Sequence, residues 1–204
     1  MLSPFESQYV FRRLLDSMAR PGKINELRQH ISCKGNFPEE HLAVMAVAGT
    51  LLDSEVTFAP LGDKMKELAP HISLMTESRV AEPEEADFLL SDGLYPATEI
   101  SCAKRGTLLF PEGGATIILE VEELLADGMD VDTYVVVEGP GVPEKRGFAI
   151  CGLFPENLAL VQEANEEFPL GVDVILVSRS NRVTCLPRSV RFESLSASYG
   201  RCRA

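Results

Sequence analysis

The 204-residue chain has no tryptophan, no C-x-x-C, no G-x-x-x-x-G-K-[ST] and no H-x-x-x-H or H-E-x-x-H pair. Each absence removes a class of chemistry. Zinc sites and iron–sulfur clusters draw on closely spaced thiolates, so that a short loop can present two ligands to one ion. Cys33, Cys102, Cys151, Cys185 and Cys202 are 17 to 69 residues apart, and their number is odd. They read as reduced, mostly buried thiols of a cytoplasmic protein, with Cys202 the exposed and reactive one. No metal site is expected. No local pattern joins His30, His41 or His71 to a cysteine or serine as a catalytic pair, so any nucleophile–base pair would have to form in space. The longest uncharged apolar stretch, Leu42–Leu52, falls short of the ~20 residues that span a bilayer. The opening Met1-Leu2-Ser3-Pro4-Phe5-Glu6 lacks the basic and apolar regions of a secretory signal. Bases are scarce as well: 19 Lys+Arg stand against 31 Asp+Glu, for a net charge of −12, which repels nucleic acid and anionic membrane alike.

What is present describes a soluble globular chain. It is 45% hydrophobic and 25% charged, and its length suits one domain over residues 1–204 that folds without disulfides or metal. Ser3-Pro4-Phe5-Glu6 has the form of a capping box, and Phe11, Leu14, Leu15 and Met18 mark one stripe of the helix that follows, ended by Pro21-Gly22. A short strand near Ile24–Leu27 comes next, then a helix that follows Asn36, has Pro38 in its first turn and runs to about Leu52, uncharged and so buried over Leu42–Leu52. Val56 and Phe58 predict a strand, Asp63 a helix interrupted at Pro70, residues 76–87 a surface loop, Asp87–Leu90 a strand, and Ala97–Lys104 a short helix. The β-branched runs Ala115–Val121 and Thr133–Val137 predict sheet interiors. Pro155–Glu167 predicts a helix. Val172–Val177 and Arg182–Leu186 predict a hairpin whose Ser178–Asn181 turn leaves Arg179 exposed. Helices alternating with strands, closed by a hairpin, predict an α/β fold: a three-layer α/β/α sandwich on a mixed sheet.

Two glycine-bearing loops invite a phosphate reading. Gly139-Pro140-Gly141 follows a strand, but Glu144 stands where a third glycine would be and no helix clearly opens there, so a tight turn is favoured. Pro111-Glu112-Gly113-Gly114-Ala115-Thr116 precedes a strand rather than a helix. It too reads as a turn, although Glu112 beside Gly114 could reach a ligand. Arg12 and Arg13 either pair with Asp16 on the helix surface or offer planar forks to a phosphate or a partner's carboxylate. Arg188, after Leu186-Pro187 at the end of the last predicted strand, is aimed by a rigid element. Charge is uneven: Glu120–Asp132 holds six acids and no base, and Arg179–Ala204 six arginines and one acid. Both blocks read as solvated surface, or the basic one as a docking segment.

In order along the chain, Phe11-Arg12-Arg13-Leu14-Leu15, Met18, Pro21-Gly22, Pro111 to Leu119, Gly139-Pro140-Gly141-Val142, Phe168 to Leu176 and Leu186-Pro187-Arg188 make it similar to the PhnH family of the bacterial carbon–phosphorus lyase system. The arginine-rich segment 189–204 matches no family motif, and its role is open. The resemblance implies a fold similar to the large domain of pyridoxal-phosphate transferases but without that cofactor's site. The lysines (23, 34, 64, 66, 104 and 145) agree, since all lie in turns or charged helical segments rather than in a Schiff-base setting. The resemblance further implies no cofactor, a homodimer, and assembly with PhnG, PhnI and PhnJ. That system moves a phosphonate onto the ribose of ATP with release of adenine, giving α-D-ribose 1-methylphosphonate 5-triphosphate. The candidate ligand or interface positions are Arg12, Arg13, Pro21, Gly22, Glu112, Gly114, Gly139, Gly141 and Arg188, none of them catalytic. The alternative is a self-sufficient enzyme on a transferase-like scaffold, holding a phosphorylated substrate with Arg12, Arg13 and the Gly139/Gly141 turn.

Overall fold

In a computed structural model, which describes residues 2–27, 37–126 and 132–196, the capping box at the N-terminus is complete. The Ser3 hydroxyl accepts from the Glu6 amide, Glu6 accepts from the Ser3 amide, and helix α1 runs over Pro4–Ala19. Its buried stripe is Val10, Leu14 and Ser17, whereas Phe11 and Leu15 are 45% and 52% exposed. The small Ser17 replaces a larger apolar residue because strand β1 (Asn25–Glu26) docks there: the Asn25 amide donates to Ser17 Oγ and to Asp16. Helix α2 (Leu42–Leu51) is buried along Ala43–Ala48, as its lack of charge requires. Helix α3 (Gly62–Thr76) runs straight through Pro70. The proline is on the solvent side, so the carbonyl it leaves unpaired one turn earlier, at exposed Lys66, meets water, while Met65, Leu68, Ala69 and Ile72 stay buried. Residues 76–87 are mostly loop, 97–104 contain only a tight 3-10 turn (Thr98–Cys102), and helix α4 (Pro155–Ala164) stops short of Glu167.

The remaining strands are β2 (Thr57–Leu61), β3 (Arg79–Val80), β4 (Phe88–Asp92), β5 (Thr116–Val121), β6 (Glu123–Leu125), β7 (Thr133–Gly139), β8 (Val142–Cys151), β9 (Asp173–Ser178), β10 (Arg182–Leu186) and β11 (Arg191–Ser196). They form two sheets. The larger has the order β1-β10-β9-β5-β4-β2-β3, parallel from β3 to β9 and antiparallel at β10 and β1. The smaller is antiparallel, in the order β11-β7-β8-β6. Helices α1–α3 cover one face of the large sheet over Phe58, Leu90, Ile118 and Ile175. On the other face Ile117, Leu119, Val174 and Leu176 pack against α4 and the small sheet's Val135, Phe148 and Ile150. Burial on both faces explains why β5 reads as a continuous apolar run.

The α/β class, the mixed sheet and the β9–β10 hairpin stand as expected. Residues 142–151, for which the sequence predicts no element, are the ten-residue strand β8, and the Gly139–Val142 turn is the hairpin between β7 and β8. The start of the supposed tail is strand β11, paired with β7, while residues 197–204, including Cys202, lie outside the described residues. So do His30, Cys33, Lys34 and Asn36. Lys145 sits on β8 and pairs with Glu138, rather than in a turn. No helix among the described residues is long and apolar enough to cross a membrane.

Candidate functional site

The expected site residues fall into three places. In the first, Arg188 is held rather than free. Its Nε and Nη2 donate to Asp173 Oδ2 at 3.1 and 2.6 Å, its Nη1 to the Pro111 carbonyl at 2.6 Å, and its backbone amide to Asp173 Oδ1 at 2.8 Å. The clamp ties the end of β10 to the start of β9 and to the glycine loop before β5. Gly114 is required there, since a Cβ would collide with Arg188 and with the Gly171 carbonyl. An open cleft of about 400 Å³ beside it is lined by Glu112, Gly114, Thr116, Phe168, Asp173 and Arg188. Glu112 is exposed at its rim.

The second place joins motifs more than 100 residues apart. Gly141 has φ +80°, and a Cβ on it would strike the Ala19 carbonyl oxygen, so the β7–β8 turn lies directly on the end of α1. Pro21 and Gly22 are buried beneath it, where Arg146 Nη1 donates to the Arg20 and Pro21 carbonyls and the Gly22 amide donates to Cys185. Gly139 packs against Val190. These glycines serve close packing; they frame no open phosphate loop. Third, Arg12 is exposed, and Arg13 lies over the Tyr9 ring at 4.9 Å. Neither pairs with Asp16, which is occupied by Arg20, Lys23 and Asn25.

Sequence reasoning missed a fourth constellation, at the carboxyl ends of the parallel strands. Asp92 and Glu120 stand side by side in register on β4 and β5, facing the α1–α3 layer one step beyond the apolar pair Leu90 and Ile118. Glu120 is 1% and Asp92 5% exposed. His41, immediately before α2, is equally buried, and its Nδ1 is 2.9 and 2.8 Å from the two carboxylate oxygens of Glu120. Lys64, in the first turn of α3, places Nζ 2.5 Å from Asp92 Oδ2, and the Leu94 amide donates to Asp92 Oδ1 at 2.9 Å. Arg179, directly after β9, lies between the two acids at longer range, Nη2 3.5 Å from Asp92 and Nε 3.7 Å from Glu120. It is therefore not in an exposed turn. Burial pushes the Glu120 carboxyl above its usual range, against the opposing pull of His41 and Arg179. Gly62, at φ +78° and stacked against the Tyr95 ring, lets β2 pass into α3 without a loop and so brings Lys64 over Asp92.

The charge blocks thus answer each other. Arg179 lies by Glu120 and Arg182 Nη1 donates to Glu123, so both described arginines at the head of the basic block face the chain's own acidic stretch. A sequence signal for the constellation existed in the single acids at the carboxyl ends of two apolar runs, Phe88–Asp92 and Ala115–Val121. Of the described cysteines, Cys151 and Cys185 are buried and Cys102 exposed; burial raises the Cys185 thiol well above its ordinary value. No group of metal-ligating side chains occurs among the described residues.

An α/β chain with these motifs in this order is matched by the model of a protein family, the bacterial phosphonate metabolism protein PhnH, over residues 3–193. One relative is the protein HtxG of Stutzerimonas stutzeri, described as a candidate C-P lyase subunit. It is 31% identical over 184 residues, covering 89% of this chain and 83% of the relative. Another is the alpha-D-ribose 1-methylphosphonate 5-triphosphate synthase subunit PhnH of Rhizobium meliloti (strain 1021), 32% identical over 196 residues, 93% of this chain and 91% of the relative. The chain belongs to the PhnH family.

Proposed function

We propose that the chain is a subunit of a carbon–phosphorus lyase core complex that supports transfer of a phosphonate onto the ribose of ATP with release of adenine. The observation that carries this reading is the match over nearly the whole chain to a family whose relatives bear the names of lyase and synthase subunits. An exposed apolar tip, Leu108-Leu109-Phe110, supports it, because a run of this kind marks a contact surface more readily than solvated surface. In this reading the protein is cytoplasmic, forms a homodimer and joins PhnG, PhnI and PhnJ. Its fold counts as an α/β/α sandwich similar to the large domain of pyridoxal-phosphate transferases, with α4 and the small sheet as the third layer. The self-sufficient alternative loses its support, since the Gly139/Gly141 turn is packed against α1 and Arg13 is stacked on Tyr9.

The test is reconstitution. Adenine release from ATP with methylphosphonate should be absent with this chain alone, present when the other subunits, the accessory ATPase-like one included, are supplied, and lost or sharply reduced when this one is left out. Turnover by the isolated chain would overturn the reading. Light scattering should give a mass near twice the 22.3 kDa of one chain.

A further inference from the structure

The carboxyl ends of β2, β4, β5 and β9 carry more buried charge than an apolar sheet end needs. Burying a carboxylate or ammonium costs several kcal/mol unless it is fully paired, and the same strand faces one step earlier are filled by Leu90, Ile118 and Val177. The position is also particular. From β2 the chain crosses by α3 to β3 at the sheet edge, whereas β4 leads the other way to β5 and β9. Strand order therefore reverses between β2 and β4. Outside the carboxyl ends at such a reversal, open α/β sheets hold their ligands. Lys64 and Asp92 bridge that point.

The hydrogen-bonding inventory says which ligand the crevice takes. Both oxygens of Glu120 already face His41 Nδ1, and both oxygens of Asp92 are taken, one by the Leu94 amide and one by Lys64. Beside them stand donors with unused capacity. Among the described residues Arg179 Nε is buried without an acceptor in hydrogen-bond range, and the guanidinium is held by the two longer contacts. Lys64 is half exposed and uses one of its three N–H groups on Asp92. The first turn of the 15-residue helix α3, which carries Lys64, has no side-chain cap, which leaves its amides and the positive end of its dipole without a side-chain partner. Among the described residues the polar partner of His41 Nε2 is Glu40, 3.5 Å away. Unused donors around occupied acceptors suit an acceptor-rich, negatively charged ligand.

We infer that this crevice binds the phosphate or phosphonate group of a small molecule through Arg179, Lys64 and the first turn of α3, with His41 and Glu120 fixing the floor of the site. The site follows from the donor inventory, and only the choice of probes rests on the phosphonate reading above. Isothermal titration calorimetry on the full chain with inorganic phosphate, methylphosphonate and ATP, at fixed ionic strength, tests it. Saturable binding of at least one is expected, and the pattern among the three identifies the source of the group. Arg179→Gln and Lys64→Gln should each weaken that binding about tenfold or more, as the loss of a charge-assisted bond to an oxyanion implies. Arg179→Lys should fall between, and Lys66→Gln, exposed on the same helix, should bind as the parent does. If Arg179→Gln fails to fold by circular dichroism, the half-exposed Lys64 variant decides alone. No saturable binding at millimolar ligand, or equal affinity in the parent and in Lys64→Gln, would overturn the inference. Loss of binding in the variants together with failed reconstitution would leave the site standing and remove only the reading as a lyase subunit.

Discussion

Replacing Arg188 by alanine tests whether this arginine is a clamp or a ligand holder. Its guanidinium makes three hydrogen bonds, two to Asp173 and one to the Pro111 carbonyl, and its side chain is 13% exposed against 25% for Asp173. Removing one partner of a buried ion pair costs about 3–5 kcal/mol. Here the partial exposure of Asp173 and the remaining backbone bond to its other oxygen lower that to about 2–3 kcal/mol. For a chain of this size each kcal/mol moves the midpoint by about 2–4 °C, so a fall in Tm of about 5–10 °C is expected. Thermal and urea unfolding of Arg188→Ala, Asp173→Asn and the double variant should give a coupling energy of about 1–3 kcal/mol. Arg188→Lys should recover little, because a single ammonium cannot span both oxygen partners. A midpoint within about 2 °C of the parent, or additive single losses, would refute the clamp.

Three further outcomes follow from the same geometry. Gly141→Ala should destabilise by about 2 kcal/mol or more in urea unfolding, since it combines a left-handed backbone with a collision at the Ala19 carbonyl. Ser3→Ala removes the hydroxyl half of the capping box and should cost about 1 kcal/mol by the same measurement. Glu120 has a folded-state pKa above its ordinary 4.5, so its contribution to stability is full below that value and declines as pH rises through the raised one. Unfolding curves from acid to neutral pH should therefore show less decline for Glu120→Gln than for the parent. An identical pH profile would count against the burial argument.

Local signals were read well where neighbours in sequence decide the outcome. The α1 capping box, the uncharged α2 and the β9–β10 hairpin needed only caps, period and turn residues. The rotation of α1 was misread because Phe11 and Leu15 fit a helical stripe as well as Val10 and Leu14 do, and only the docking of Asn25 on Ser17 selects between them. Strand β8 was missed because its first half, Val142–Arg146, is charged and largely exposed and gains its strand geometry from pairing with β7. Pro70 looked like a helix break because solvent access to the freed carbonyl is a tertiary fact. The carboxyl-end constellation lies on five separate stretches of chain, and His41 is 79 residues from Glu120, so no spacing rule reaches it. Arg188, Gly114 and Gly141, expected as ligand or interface positions, are held in the structure by hydrogen bonds and close packing within the chain.

The pairing of β1 with β10 has a consequence for how the protein is made. Helix α1 and β1 leave the ribosome well before the strand they pack on, which ends at Leu186, some 160 residues later. At about 5–20 residues per second, translation leaves the N-terminal helix waiting roughly 8–30 s for its neighbour. During that interval α2 can cover only part of α1, and the side that later meets β10 is bare alongside Phe11 and Leu15. The nascent segment is thus a chaperone client by construction, and fragments ending before Arg182 are expected to accumulate in inclusion bodies.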